Sequence, residues 1–341
     1  MRQSGQRAVL TAWLQRVWLR RGMTAWLLLP IAEIFGLLAA CRRAAYRWGW
    51  RSTYRAGVPV IVVGNVVAGG AGKTPVVLAL ANHLRGRNVR AGVISRGHGR
   101  CNNDTLEVRF DSPPRDVGDE PALIHRLTGL PVFVAKTRAA AAQALLAAYP
   151  ETRIIVSDDG LQHLALERDI EICVFDDRGI GNGLLLPAGP LREHWPRSCD
   201  LVLHSGARPA FAGYRSQRAL ANHALRSDGS KVLLDSLIGK PLIALAAIAN
   251  PQAFFDMLRA WGLSLSHTLA LPDHCDFDGW RFPGTAGELL ICTEKDALKL
   301  WVHAPEALAV PLLFEPEPAF FAVFDRLLDA KLSSVDGHQT A

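Results

Sequence analysis

Residues 66–75, VVAGGAGKTP, place Gly69, Gly70, Ala71, Gly72, Lys73, Thr74 and Pro75 between an apolar run and a helical pattern. Glycines admit positive φ and close backbone approach. Successive amides and a helix N-terminus then face an anion. In such a loop the lysine reaches the β- and γ-phosphates of a nucleotide and the threonine hydroxyl meets Mg²⁺. Pro75 falls in the first helical turn, where its missing N–H is harmless. The pattern departs from G-x-x-x-x-G-K-T at its entry, because Val67 stands where the first glycine belongs. A glycine-rich turn with a capping threonine is the plain alternative. The strand-before, helix-after setting favours the phosphate site.

A nucleotide site needs a carboxylate to organise the metal. RIIVSDDG supplies Asp158 and Asp159 after an apolar run, although such a pair can also cap a turn. Asp176 and Asp177, ending IEICVFDD, are a second and weaker candidate pair. GDEPALIHRL puts Asp119 and Glu120 ahead of a helix. They read equally as N-terminal caps or as a general base facing a hydroxyl. SRGHGR carries Arg96 among glycines, and LPAGPLRE carries Arg192 and Glu193 behind a rigid turn; both suit an anionic substrate. LPDHCDFD sets His274 between Asp273 and Asp276, where carboxylates can tune an imidazole.

The elements that must position these groups alternate. VPVIVVGN, VRAGVIS, PVFVA, RIIVSDDG, DIEICVFDD and DLVLHSG read as buried strands, with helical patterns between the first four. Such runs indicate a mainly parallel sheet with helices on both faces. Residues 205–230 lose this rhythm and read as a connection. A second α/β set follows from KPLIALAAIAN to AFFAVFDRLLDAKL. The expected organisation is an N-terminal helical segment (1–55), a phosphate-loop α/β domain (56–225) and a smaller α/β domain (226–341).

The head differs from the body. Of a net charge of +6, residues 1–55 hold ten arginines and a single acid, Glu33, so the head is positive by nine and the remainder negative by three. Residues 22–41 form a long apolar stretch flanked by arginines and tryptophans, suited to crossing a bilayer or lying in its face. The apolar neighbours favour an anionic membrane surface over nucleic acid as the partner. LAAC, ending at Cys41, resembles a lipoprotein processing site. Export would separate the phosphate loop from nucleoside triphosphates and argues against that use. The six cysteines form no C-x-x-C pair, which fits a reducing compartment and no zinc site.

Taken together, VGNVVAGGAGKTP, ISRGHGR, VGDEP, VSDDGLQH, GNGLLLPAGPLRE, PDHCDF and TEKDALK resemble the tetraacyldisaccharide 4′-kinases of lipid A biosynthesis, in family order over nearly the whole chain. The resemblance implies a phosphate-loop kinase on the cytoplasmic face of the bacterial inner membrane. It implies transfer of the γ-phosphate of ATP, with Mg²⁺, to the 4′-hydroxyl of a tetraacylated glucosamine disaccharide 1-phosphate, giving lipid IVA. It assigns Lys73 and Thr74 to phosphate and metal, Asp158 and Asp159 to the acidic pair, Asp119 as catalytic base and His274 as its partner. Arg96, Glu120, Arg192 and Glu193 fall in motifs associated with substrate. Glu294 and Lys295 approach the nucleotide from the second domain. No nucleic acid and no obligate protein partner are implied. Two departures stand out: Ala71 replaces a usual threonine, and AAIANP has Ala247 and Ala249 where glycines are usual. The rival functions are a membrane-associated nucleotide switch and a nucleotide-binding scaffold.

Overall fold

The computed structural model describes residues 13–339 except 15, 283 and 286. The sequence expectations for residues 1–12 lie outside this range. After a short helical stretch at residues 16–19 comes the long helix α1, Met23–Arg47. A nine-stranded sheet follows, with β1 (Val60–Gly64), β2 (Ala91–Ser95), β3 (Leu106–Val108), β4 (Val132–Val134), β5 (Ile154–Asp158), β6 (Ile170–Phe175), β7 (Leu201–His204) and β8 (Tyr214–Leu220). Helices α2 (Lys73–Gly86), α3 (Asp119–Thr128) and α4 (Arg138–Ala148) connect its first half. A six-stranded sheet holds β9 (His223–Leu225), β10 (Lys231–Leu233), β11 (Leu242–Ala246), β12 (Leu265–Ala270), β13 (Leu289–Thr293) and β14 (Leu308–Val310), with α5 (Pro251–Ala260) and α6 (Glu294–Leu300). The chain then returns to the first sheet through β15 (Leu312–Pro316) and α7 (Pro318–Gln339).

The first sheet has the order β15-β8-β7-β6-β1-β5-β2-β4-β3. Its centre is parallel, and only β3 and β15 run antiparallel to their neighbours. β1, β2 and β5 are buried along their whole length, as apolar strands covered on both faces must be. Parallel pairing brings Val63 opposite Asp158, so the loop after β1 and the acid pair after β5 leave from adjacent carboxyl ends. That edge is where open α/β sheets bind ligands.

The return of β15 and α7 corrects the expectation that residues after 225 all belong to the second α/β set. β15 pairs with β8 from Leu312–Leu220 to Pro316–Ser216. Phe320, Phe324 and Leu328 of α7 are buried in the core that holds Val76, Leu80 and Leu84 of α2. Asp325 accepts from His83 at 2.8 Å and Arg87 at 2.7 Å. The stretch read as a connection also contains β8 and β9. β8, YRSQRAL, lies near an edge and is largely exposed, so it lacks the apolar run that marks a buried strand.

Helix α1 turns its small residues inward. Ala25, Ala32 and Gly36 are buried, while Trp26, Leu27, Ile31, Ile34, Leu37 and Leu38 are exposed. Cβ of any residue at 36 would come within 2.6 Å of Leu185 Cδ1, so the helix sits tightly on the loop that leads to Arg192. Cys41, the lipoprotein alternative, lies within this helix.

Candidate active site

A single cleft of ≈ 2360 Å³ runs from α1 across the carboxyl edge of the first sheet to the facing edge of the second. One wall is the glycine-rich loop of residues 69–75. Gly69 and Gly72 have φ of 95° and 74°, values that disfavour side chains with a Cβ, and Gly72 sits immediately before α2. The loop's carbonyls are tied back by their surroundings. Ser205 Oγ donates to Ala71 O at 2.8 Å, and Arg178 Nη2 donates to Gly70 O at 2.6 Å. Arg178 is itself held by Asp176, and Asp177 accepts from the Arg208 amide at 2.6 Å. Asp176 of the weaker acid pair therefore braces the loop from behind through Arg178. Ala249 packs so close that a Cβ on residue 70 would come within 2.7 Å of its own Cβ, which ties one unusual alanine to the need for glycine at 70. Ala247 donates its amide to Asp296 at 3.0 Å, a contact that needs no glycine.

Lys73 Nζ lies 3.2 Å from Asn65 Oδ1 and 3.5 Å from Asp159 Oδ1. Arg192 Nη1 reaches the same Asp159 oxygen at 3.4 Å. Burial pushes Asp159 up, but Lys73, Arg192 and Arg138 more than offset it and hold the carboxyl below its ordinary value. Asp158 behaves oppositely. Burial, then the negative Asp159 and Glu120, push it up to about 6. Its Oδ2 accepts from Ser95 Oγ at 3.4 Å, while Oδ1 is buried and has no hydrogen-bond partner among the described residues. A buried, unpartnered carboxylate oxygen is what a hard divalent cation would satisfy. No group of three or more His, Cys, Asp and Glu suited to a metal occurs among the described residues. Mg²⁺ in nucleotide sites takes only one or two carboxylates and fills its shell with phosphate and water, so these residues fit it. Thr74 lines the same cleft.

Sequence inspection missed Arg138. This first residue of α4 is almost wholly buried, and its Nη2 donates to Asp158 O at 2.6 Å and Asp159 O at 3.1 Å. Its Nε and Nη1 lack partners among the described residues, and burial lowers its pKa to about 10. It lines the cleft, and unpaired buried guanidinium N–H groups there are suited to a phosphate oxygen. Its only sequence signal is an arginine just after a buried strand, which reads as an ordinary helix start.

The opposite wall joins the two sheets. His274 Nδ1 lies 2.9 Å from Asp119 Oδ2, and Lys299 Nζ lies 2.8 Å from that same oxygen. Lys295 Nζ donates to Glu120 Oε1 at 2.9 Å and Asp273 Oδ1 at 3.1 Å. These lysines are four apart on α6, so they share one helix face and meet two consecutive acids of α3. Asp119 is 7 % exposed and lies behind His274, whereas His274 and Glu120 line the cleft. Burial pushes Asp119 up, but bonds from His274 and Lys299 leave it below its ordinary value. The bond to Asp119 raises His274 against the opposing effect of burial, with help from Glu120. Burial opposes the charge of Lys295, yet Glu120 and Asp273 push it up to about 12. Burial raises Glu294 to about 7. Close approach of the two loops depends on glycine: Cβ at 118 would fall 2.8 Å from Gly97 Cα, beside Arg96.

Arg96, Arg192 and Glu193 all line the cleft. Glu193 is buried and accepts from Gln162 Nε2 at 2.8 Å, with Arg43 and Arg197 at 3.6 and 3.5 Å. Every residue expected at the site on sequence grounds therefore borders this cleft except Asp119, which stands one residue behind it.

The family described as tetraacyldisaccharide-1-P 4′-kinase (LpxK) matches residues 24–332. A tetraacyldisaccharide 4′-kinase of Polaromonas naphthalenivorans (strain CJ2) is 57% identical over 98% of this chain and 99% of its own. That of Acidovorax sp. (strain JS42) is 54% identical over 99% and 100%. The crystal structure of LpxK from Aquifex aeolicus in complex with ATP superposes with a TM-score of 0.77 at 27% identity, covering 90% of this chain and 100% of that one. The match spans most of the chain in sequence and in overall fold, and the chain belongs to the tetraacyldisaccharide-1-P 4′-kinase family.

Proposed function

We propose that the protein transfers the γ-phosphate of ATP to the 4′-hydroxyl of a tetraacylated glucosamine disaccharide 1-phosphate, producing ADP and lipid IVA. The observation that carries this reading is the pairing of two sites across one cleft: Lys73 with Asp159 on the nucleotide side, and His274 with Asp119 on the acceptor side. A switch or scaffold needs the first pair and has no use for the second.

The loop amides from Gly69 to Gly72, Lys73 and Thr74 bind the triphosphate. Asp158 and Thr74 would hold Mg²⁺, which when bound would neutralise charge on the phosphate oxygens. Asp159 keeps Lys73 aimed into the cleft. Lys73 and Arg138 then stabilise negative charge spreading over the transferred group. His274, the member of the dyad that faces the cleft, meets the acceptor hydroxyl, and Asp119 orients the ring and draws the proton toward the dyad. Arg96, Glu120, Arg192 and Glu193 border the sugar. The second α/β unit, residues 226–310, closes over the nucleotide through Ala249 and α6 and excludes water. Helix α1 lays its large apolar residues in the cytoplasmic face of the inner membrane, and the head's arginines meet anionic lipid. This delivers the cleft to a substrate that stays in the bilayer.

The test is incubation with γ-labelled ATP, Mg²⁺ and the disaccharide lipid in mixed micelles. Label in the lipid fraction supports the kinase. ADP formed at full rate with no labelled lipid overturns it in favour of a switch.

A further inference from the structure

The kinase reading accounts for one end of the acceptor. A 4′-hydroxyl and a 1-phosphate lie at opposite ends of a two-ring sugar. A site that receives the first must therefore leave the second elsewhere in the same cleft. We infer that Arg42 and Arg43, on the membrane-facing helix α1, form the seat for the 1-phosphate of the substrate, and this inference rests on the kinase assignment.

A chain of polar contacts leads to them from the nucleotide site. Lys73 contacts Asp159 at 3.5 Å, and Asp159 contacts Arg192 at 3.4 Å. Arg192 contacts Gln162 Oε1 at 3.3 Å, and the Gln162 carbonyl accepts from Arg42 Nη2 at 3.2 Å. Arg43 joins the same chain through Glu193, which also accepts from Gln162. Both arginines line the cleft. They are therefore in the same cavity as Lys73 but several side chains away, as a site for the far phosphate must be.

Their donors are mostly uncommitted. A guanidinium carries five N–H groups. Among the described residues each guanidinium shows one polar contact, Arg42 to a neutral backbone carbonyl and Arg43 to a carboxylate that two other donors, Gln162 and Arg197, also approach. Arg43 retains 39 % side-chain exposure. Two forked cations lining one cleft suit the oxygens of a phosphomonoester. The seat is fixed, because α1 is locked by the close approach of Gly36 to Leu185 and by Ala32 in the core below. The same stretch of helix gives Phe35 and Leu38 to the cleft, beside Trp18 and Leu19. Apolar surface next to a phosphate seat suits a substrate whose acyl chains leave near its headgroup. The helix that meets the membrane is thereby also one wall of the active site.

The phosphate bound here has two possible sources, the substrate and anionic bilayer lipid. The experiment compares wild type and the Arg42→Ala/Arg43→Ala double variant on two acceptors, the 1-phosphate disaccharide and its 1-dephospho analogue. Each is presented in phosphatidylcholine vesicles and in phosphatidylcholine–phosphatidylglycerol vesicles. Loss of charge-assisted hydrogen bonds should raise KM for the 1-phosphate acceptor by about 10- to 100-fold. The two deletions should not add: on the dephospho acceptor the variant should lose little beyond what the missing phosphate already costs the wild type. The same pattern should hold in both vesicle types. Equal losses on both acceptors, or a loss that follows phosphatidylglycerol instead of the 1-phosphate, would overturn the inference. Circular dichroism and ATP binding of the variant check that it folds. If wild type phosphorylates neither acceptor, the kinase assignment itself has failed, which is a different outcome.

Discussion

His274 Nδ1 lies 2.9 Å from Asp119 Oδ2, although one residue sits in the loop after β12 and the other opens α3, 155 positions apart. Only His274 of the pair borders the cleft. His274→Ala and Asp119→Asn should each cut phosphoryl transfer by about 10²- to 10⁴-fold, the usual contribution of general acid–base catalysis. ATP affinity should change little, because neither residue touches the phosphate loop. Steady-state kinetics beside calorimetric ATP titration makes this check; equal losses in both would point to a folding role.

The same pair makes stability depend on pH. His274 is raised above its ordinary value by Asp119, with Glu120 and Asp273 adding and burial and Lys295 opposing. Its contribution is fully present below the unfolded-state pKa of about 6.5 and is lost as pH rises through the folded value. Asp119 is lowered, so its contribution is present above its unfolded pKa and lost as pH falls through the folded one. The difference in melting temperature between wild type and His274→Ala should therefore be larger at pH 6 than at pH 9. A gap that widens toward pH 9 would contradict the assignment.

Lys299 is a positioning residue of this cluster. Its Nζ bonds Asp119 Oδ2 at 2.8 Å and opposes the upward push of burial on that carboxyl. Lys299→Met should shift the acid limb of the kcat/KM profile to higher pH, and Lys299→Arg should largely restore it. A uniform loss with an unmoved acid limb would mean that Lys299 only supports the fold.

Gly72 tests the phosphate loop. Its φ is 74°, and a Cβ there would run into the Arg218 guanidinium. Gly72→Ala should cost on the order of 1–3 kcal/mol in loop conformation and weaken ATP binding by about 10-fold or more. Unchanged ATP affinity in titration calorimetry would show that the loop does not bind the nucleotide.

The exposed face of α1 tests the membrane assignment. Leu27 and Ile34 are 75% and 60% exposed. Burying such side chains in lipid contributes about 1.5–3 kcal/mol each. Leu27→Glu/Ile34→Glu should release the protein from sedimenting anionic vesicles without altering ATP affinity. Retention on vesicles would argue that this face is not the lipid contact.

What was legible in the sequence follows from distance along the chain. The phosphate loop and the Asp158–Asp159 pair are local signals at strand ends, and parallel register places them together. The dyad was suggested only by resemblance, since nothing in PDH or GDEP alone says that they meet. The last strand escaped because periodicity carries no pairing information. Leu312–Pro316 looks like one more strand of the second set, and only pairing with the polar, exposed β8 assigns it to the first. Arg138 and Lys299 escaped because a helix-start arginine and a mid-helix lysine are ordinary until burial and partners are known. For Lys299, the i, i+4 spacing from Lys295 in TEKDALK was the available clue. Arg42 and Arg43 looked like membrane charges, and only the packing of α1 over the Leu185 loop turns them toward the cleft.

The central claim is that two sites across one cleft move a phosphate to a defined hydroxyl. It is tested most directly by isolating the product formed from γ-labelled ATP and the disaccharide 1-phosphate, then locating the new phosphate by two-dimensional ³¹P–¹H NMR. The expected product is a single phosphomonoester coupled to the proton at carbon 4′, absent with Asp119→Asn. A phosphate at another position, or ADP accumulating with the lipid unchanged, would contradict it.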